Sequence, residues 1–271
     1  MRLPDLRPVD RLLTARAQAR MWRFARRAHA APRFVPGTIE LGDLRIHYRD
    51  LLSLYVEYKD IFAGRIYDFE ATRPAPRVID GGSHIGVSVL RTKLCHPQAR
   101  VVCLEPEPAS REVLERNIAD NGLTGVEILP YALTGEDGQR GFVPDGTDGG
   151  KVVESEGDYA VPTVRLSTLL DEPVDFLKLN IEGFELPVLL ECRSRLRAVE
   201  QMVVEYHGWP GGEQRLGEIL TLLDEAGFRY LVNHLDYATN PAVRPPFRLP
   251  DGSPWFALIY ARRADQPSSS R

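Results

Sequence analysis

Apolar and polar positions along this chain follow two rhythms. From Arg77 onward, short apolar runs of strand length alternate with longer stretches whose apolar positions recur every three or four residues. The runs at 78–79 and 101–104 predict buried strands, and the spacing across 85–94 predicts a helix between them. A second helix is predicted from about 109 to 120, closed at Asn121 and Gly122, where glycine readily takes the left-handed C-cap conformation. Further strands are expected at 126–129, 174–180, 202–205, 228–232 and 255–260, with helices starting near 186 and running over 213–226. Such alternation argues for a parallel, doubly wound α/β sheet. Upstream, a strand at 44–48 and a helix at 54–62 are expected to cap a site, and residues 9–30 read as an amphipathic helix. The rhythm fails between 135 and 160, where seven glycines stand among acids; a loop or short hairpin overhanging the site is the expectation.

With 271 residues, 43% of them hydrophobic and 27% charged, the chain supports one main domain, placed at 76–262. Residues 1–75 form an appendage that caps the domain or joins subunits, and 263–271 read as a disordered tail. No stretch approaches the ~20 apolar residues of a membrane span and no secretory apolar segment opens the chain, so a cytoplasmic protein is expected. Cys95, Cys103 and Cys192 lack C-x-x-C spacing, which favours buried thiols over disulfides or a metal site. The net charge of −4 conceals an asymmetry: residues 1–33 hold nine arginines against Asp5 and Asp10, leaving the remainder strongly acidic. That basic helix has three readings: packing on the domain or on a second copy in a homo-oligomer, contact with an anionic membrane surface or substrate, or a leader segment. An acidic remainder without a reading motif disfavours nucleic acid.

Candidate chemistry begins where the strand at 78–79 ends. Asp80, Gly81, Gly82, Ser83, His84 and Gly86 form a glycine-rich turn into the following helix, and Glu105 stands nineteen positions after Gly86 at the tip of the next strand. A carboxylate there is suited to accept hydrogen bonds from a ribose, so an adenosine-containing ligand is expected. A dinucleotide fingerprint would need glycine where Ser83 stands. A purely structural turn is the plain alternative. The D-x-G-x-x-x-G register resembles instead the cofactor loop of S-adenosylmethionine-dependent methyltransferases.

Four motifs in order strengthen and narrow that resemblance. After the loop come Leu104-Glu105-Pro106 with Asn117-Ile118 twelve residues beyond Glu105, then Val161-Pro162 through Leu166, then Asp175 through Lys178, Asn180, Glu182, Gly183 and Glu185. Over about residues 76–206 the chain resembles the FkbM family of methyltransferases. The resemblance implies a Rossmann-like class I fold with an antiparallel final strand, S-adenosylmethionine as cofactor, and methyl transfer to a hydroxyl of a sugar, polyketide or other small metabolite. It also implies that Asp80, Gly82, His84 and Gly86 hold the methionine end, Glu105 the ribose, and Tyr131 with Ala132 the adenine. Ser83 and His84 stand where relatives commonly carry alanine and asparagine, and Asn180 where many carry aspartate.

An attacking alcohol must lose its proton, so a base or positioning group is expected at the carboxyl edge of the later strands. Lys178, Asn180, Glu182, Glu205 and His207 fall there, with Glu182 the first choice as base. Plainer readings stand beside these: a structural Lys178–Glu182 ion pair, Glu185 as a partner of a helix dipole, and His207 as a loop or core histidine. No metal is predicted. The connection 233–254, with five prolines, is expected to cover the acceptor. A nicotinamide-dependent oxidoreductase and a non-catalytic cofactor-binding relative remain as alternatives.

Overall fold

A computed structural model describes residues 8–147, 149–153, 156–209, 211–234 and 255–264, with side chains from residue 17 onward. In chain order the elements are α1 (Pro8–Ala30), β1 (Gly37–Leu41), β2 (Leu44–Tyr48), α2 (Leu51–Tyr58) with a π-helical turn (Lys59–Ala63), β3 (Arg77–Gly81), α3 (Val87–Cys95), β4 (Arg100–Leu104), α4 (Pro108–Asp120) and β5 (Val126–Leu129). There follow β6 (Ala132–Thr134), β7 (Gly138–Val143), β8 (Lys151–Val153), β9 (Tyr159–Arg165), β10 (Val174–Leu179), α5 (Glu185–Glu191), β11 (Val199–Gly208), α6 (Leu216–Glu225), β12 (Phe228–His234) and β13 (Trp255–Arg263).

Seven strands form the main sheet in the order β12-β13-β11-β10-β3-β4-β5. All run parallel except β13, which pairs antiparallel with both neighbours, as expected for the final strand. The chain winds outward from β3 through β4 to β5, then returns to β10 on the other side of β3. The carboxyl ends of β3 and β10 therefore flank the point where the winding reverses, which is where open α/β sheets form a ligand crevice.

Side-chain alternation feeds two apolar layers. Ile79, Leu177 and Val204 face a layer that includes Leu189 of α5 and Leu223 of α6. Val78, Phe176 and Val203 face the other, with Leu90 of α3, Leu114 of α4, and Ile46 and Leu54 of the amino-terminal segment. That segment is tied down: Phe24 of α1 meets the rings of Tyr55 and Tyr58 edge-on, and Asn117 of α4 accepts from His47 N at 2.7 Å and donates to His47 O. Asp50 caps α2 by accepting from Ser53 N.

Three features depart from the sequence expectations. The glycine-rich stretch forms the antiparallel pair β7–β8, as the hairpin expectation had it, but it also joins β6 and β9 in a second sheet, β6-β9-β7-β8, around Phe142, Val152 and Val161. The strand expected to stop at Glu205 continues to Gly208, because β13 pairs with it along its whole carboxyl half, so His207 is a strand residue. α3 starts two residues late, since Gly86 occupies the left-handed region as its N-cap. Cys103 and Cys192 are buried free thiols and Cys95 is exposed. The tail from 265 and nearly all of the proline-rich connection lie outside the described residues. Among the described residues, no helix is long and apolar enough to cross a membrane.

Candidate active site

The floor of the crevice is a backbone structure. Gly82 and Ser83 donate their N–H groups to Leu104 O at 3.0 and 3.1 Å, fastening the loop after β3 to the end of β4. Gly82 adopts φ +78, and a Cβ there would lie 1.8 Å from Asn180 O, so only glycine fits. His84 also has a left-handed backbone, φ 48, which turns its N–H onto Glu105 Oε2 at 2.7 Å. Glu107 N donates to the other oxygen, Oε1, at 2.9 Å. Burial pushes the Glu105 carboxyl upward, against the pull of His84 and these backbone donors. Each oxygen keeps acceptor capacity for a further donor.

Beneath the floor, Asp80 Oδ1 accepts from Lys178 Nζ at 2.9 Å, and Ser88 Oγ donates to Asp80 Oδ2. The parallel register pairs Lys178 with Asp80 across β10 and β3, which sets aside the alternative reading of a Lys178–Glu182 ion pair. Lys178 also donates to Gly82 O at 2.7 Å and Gly81 O at 3.3 Å, so its three protons are committed to holding the loop.

The opposite wall is built from side chains. Beyond β10, Glu182 adopts φ 57 and Gly183 φ 107. Glu185, first residue of α5 and buried, accepts from Ile181 N at 3.2 Å and Gly183 N at 3.0 Å. It also takes His207 Nδ1 at 3.0 Å, a clamp beyond the helix-dipole reading. His207 Nε2 lies 3.3 Å from Glu182 Oε1 and 3.9 Å from Glu205 Oε1. Burial alone would favour neutral imidazole, but the Glu185 charge and the hydrogen bonds with Glu182 and Glu185 outweigh it and hold the His207 pKa well above the ordinary value. That shift favours the protonated ring, which weighs against the role of base. Burial pushes the Glu205 carboxyl up, partly offset by His207 and by a hydrogen bond from Tyr67. Tyr67 OH donates to Glu205 Oε2 at 2.9 Å. The Trp209 ring stacks on His207, centroids 5.7 Å apart, and Phe256 stands edge-on to both.

Between floor and wall lies a cavity of about 530 Å³. Of the residues expected from sequence, Gly82, Ser83, His84, Glu105, Tyr131, Ala132, Lys178, Asn180, Glu182, Glu205 and His207 line it; Asp80, Gly81 and Gly86 stand behind the lining as its support. Sequence reasoning missed Glu57, which meets His84 Nδ1 at 2.7 Å, and also Tyr67, Trp209 and Phe256. None carries a local signal, because each arrives from a separate segment. The overhang expected from 135–160 is present: Phe142, Asp145 and Thr147 close one side. Carboxylates outnumber ammonium groups on the lining, with Glu57, Asp60, Glu105, Glu107, Asp145, Glu182 and Glu205 against Lys59 and Lys178. Asn180 Oδ1 and Trp209 Nε1 are buried without a partner among the described residues, so both call for a polar ligand. An acidic, partly apolar chamber with a carboxylate at the β4 tip suits a ligand that carries both a ribose and positive charge. Among the described residues, no cluster of three or more His, Cys, Asp or Glu side chains is arranged to hold a metal ion.

Comparison with known proteins places this geometry. Residues 80–230 match the methyltransferase FkbM domain. The methyltransferase sdnD of Sordaria araneosa is 28% identical, over 85% of this chain and 98% of that protein. Methyltransferase 1 of Beauveria bassiana is 26% identical, over 72% of this chain and 90% of its own. A shorter match, 29% identical over 47% of this chain and 54% of the relative, is to the hexuronic acid methyltransferase AglP of Haloferax volcanii. In fold, the chain resembles M. jannaschii TYW2 in complex with AdoMet, with a TM-score of 0.50 at 12% identity over 86% of this chain and 88% of that one.

Proposed function

Since the chain belongs to the FkbM-domain methyltransferases, which match it over more than half its length, we propose that it O-methylates a hydroxyl of a polyhydroxylated small molecule, a sugar first among them. The family uses S-adenosylmethionine, and so does this chain; the nicotinamide alternative falls with that assignment. The residues fit such a group. A surplus of carboxylates suits a ligand bearing a sulfonium and an ammonium. In this reading Glu105 accepts from the ribose hydroxyls, Gly82, Ser83 and His84 face the methionine end, and Tyr131 and Ala132 flank the adenine, with Asp80, Gly81 and Gly86 as the underlying support. When bound, the cofactor supplies an electrophilic methyl group on a good leaving group, which leaves the protein the tasks of positioning and proton removal.

The observation that carries the reading is the placement of Glu182 and Glu205 beside His207, their Oε1 atoms 3.3 and 3.9 Å from its Nε2. Glu205 serves as base: burial raises its affinity for a proton, Tyr67 occupies Oε2, and Oε1 is left to take the hydroxyl proton of the acceptor. His207 Nε2, 3.3 Å away, holds Glu182 in place, and Glu182 orients the acceptor by accepting from a neighbouring hydroxyl. Asn180 Oδ1 and Trp209 Nε1, without partners among the described residues, supply further polar contacts beside the apolar ring faces of Trp209 and Phe256. A sugar ring, apolar on one face and ringed by hydroxyls, matches that surface. The acidic lining favours a neutral polyol over the uronate class to which the relative AglP owes its name.

The test is transfer from methyl-¹³C-labelled S-adenosylmethionine to a panel of neutral sugars, uronates and polyhydroxylated polyketides, read by NMR. A new methoxy resonance on a neutral polyol supports the reading. Label on nitrogen or carbon, or on uronates alone, overturns the oxygen or the neutral-acceptor part respectively. No transfer to any class by protein that binds S-adenosylhomocysteine overturns this acceptor assignment.

A further inference from the structure

The amino-terminal helix carries more than its packing requires. Its inner face, with Phe24 and Ala28, is buried against α2. The opposite face sets Trp22 and Arg26 at i and i+4, both exposed, Trp22 to 60%. The Arg26 guanidinium sits 4.9 Å from the Trp22 ring centre. The same pairing recurs where the helix ends: Phe34 and Val35 are 56% and 50% exposed, and Arg33 lies 4.9 Å from the Phe34 ring centre. A solvated charged face needs no large apolar rings.

We propose that the outer face of α1, with the turn bearing Phe34 and Val35, docks on an anionic lipid bilayer and sets the mouth of the cavity beside the headgroups. Three observations favour a bilayer over other occupants. Arginine mixed with exposed tryptophan and phenylalanine suits the membrane interface, where rings lie at headgroup level, aliphatic stems cover apolar surface and guanidinium groups meet phosphates. Charge is segregated: nine arginines against two aspartates in residues 1–33, with a remainder of net −11, so an anionic surface attracts this end of the chain and repels the rest. A second copy is a poor occupant, because a two-fold contact through this face would set arginine against arginine. The mouth is close by. A Cβ on Gly146 would lie 3.1 Å from the Phe34 ring, and the flanking Asp145 and Thr147 line the cavity, as does Val56, 40% exposed on α2.

Vesicle sedimentation of the full chain tests this, with phosphatidylcholine alone and with phosphatidylcholine mixed with phosphatidylglycerol. The protein is expected to pellet only with the anionic vesicles and to be released as salt is raised, since a Debye length shrinks from ~10 Å at 0.1 M to ~3 Å at 1 M. Combined R23E/R26E/R27E should weaken vesicle binding by about a hundredfold or more, with affinity for S-adenosylhomocysteine unchanged. Single W22A, a milder change, should weaken it severalfold and keeps the test open if the triple variant does not fold. Absence of pelleting at low salt, or equal pelleting of wild type and W22A, overturns the proposal. So does a concentration-dependent dimer, seen by analytical ultracentrifugation, that W22A dissolves while vesicles recruit nothing. Cofactor titration is independent of all these outcomes, so failure here leaves the methyltransferase reading untouched.

Discussion

The floor and the wall of the cavity are made differently. The floor around Glu105 is held by backbone donors from one continuous stretch, with His84 and Glu105 only 21 positions apart. The wall around His207 gathers side chains from distant segments, and its Tyr67–Glu205 hydrogen bond spans 138 positions. Covalent continuity leaves the floor little freedom, which suits a cofactor that does not vary. The wall exists only when the amino-terminal segment, the second sheet and the main sheet have docked, so it is the part that can change with the acceptor while the floor stays constant.

The largest expected effect breaks the floor. Gly82→Ala forces a Cβ toward Asn180 O, at 1.8 Å in the present backbone, in a conformation that also disfavours side chains. It should cost ~3 kcal/mol or more of stability and abolish measurable S-adenosylhomocysteine binding, read by thermal melting and calorimetry. Retained binding would show that the loop relaxes and that the backbone cradle is less rigid than its contacts.

Next is the wall. Glu205→Gln should lower kcat by ~10²- to 10⁴-fold while leaving S-adenosylhomocysteine affinity within a few-fold, and Glu182→Gln should cost less. If the order is reversed, Glu182 is the base. Because burial raises the Glu205 pKa, kcat should rise with pH through a midpoint above the ordinary glutamate range. The linked stability runs the other way. The folded state holds this proton more tightly than the unfolded chain, so the Glu205 contribution is most favourable below the ordinary glutamate value of about 4.5 and declines as pH rises through the raised one. Glu205→Gln should flatten that decline in a series of melts.

Glu105→Ala removes an acceptor from the floor and should weaken S-adenosylhomocysteine binding by roughly 10- to 100-fold, the worth of one or two hydrogen bonds to a charged group, with kcat at saturation much less affected. Unchanged affinity would remove Glu105 from the ribose site. The smallest effect sharpens the contrast: Tyr67→Phe should lower kcat by about tenfold and move its acidic limb to higher pH, because the Tyr67 hydroxyl stabilises the Glu205 carboxylate. A loss of kcat without that shift would assign Tyr67 to packing alone.

How much of this was legible follows the same division. The turn from Asp80 to Gly86 and the acid at the next strand tip announce themselves because glycine, strand end and carboxylate are set by spacing along the chain. Lys178 shows where spacing misleads: Glu182 is its nearer acid in sequence, but the parallel register sets it level with Asp80. His207 read as a candidate base beside the plainer reading of a loop or core histidine, and nothing local reveals that β13 extends β11 through Gly208 or that Glu182 and Glu185 close on its ring. Tyr67 and Glu57 have no motif around them, and their burial at the site comes from docking of the appendage.

The sequence by itself determined the alternation of buried strands and amphipathic helices, the glycine turn, the acid at the β4 tip, the ordered motifs and the basic charge of the first helix. Those are consequences of local stereochemistry and of apolar periodicity, which act between residues close along the chain. Only the tertiary structure decided which carboxylates surround His207, which lysine holds Asp80, and how the second sheet and the appendage close the acceptor wall. Those depend on strand order and register, which bring together groups far apart in sequence, and on burial, which raises the Glu205 pKa, while the adjacent carboxylates raise that of His207.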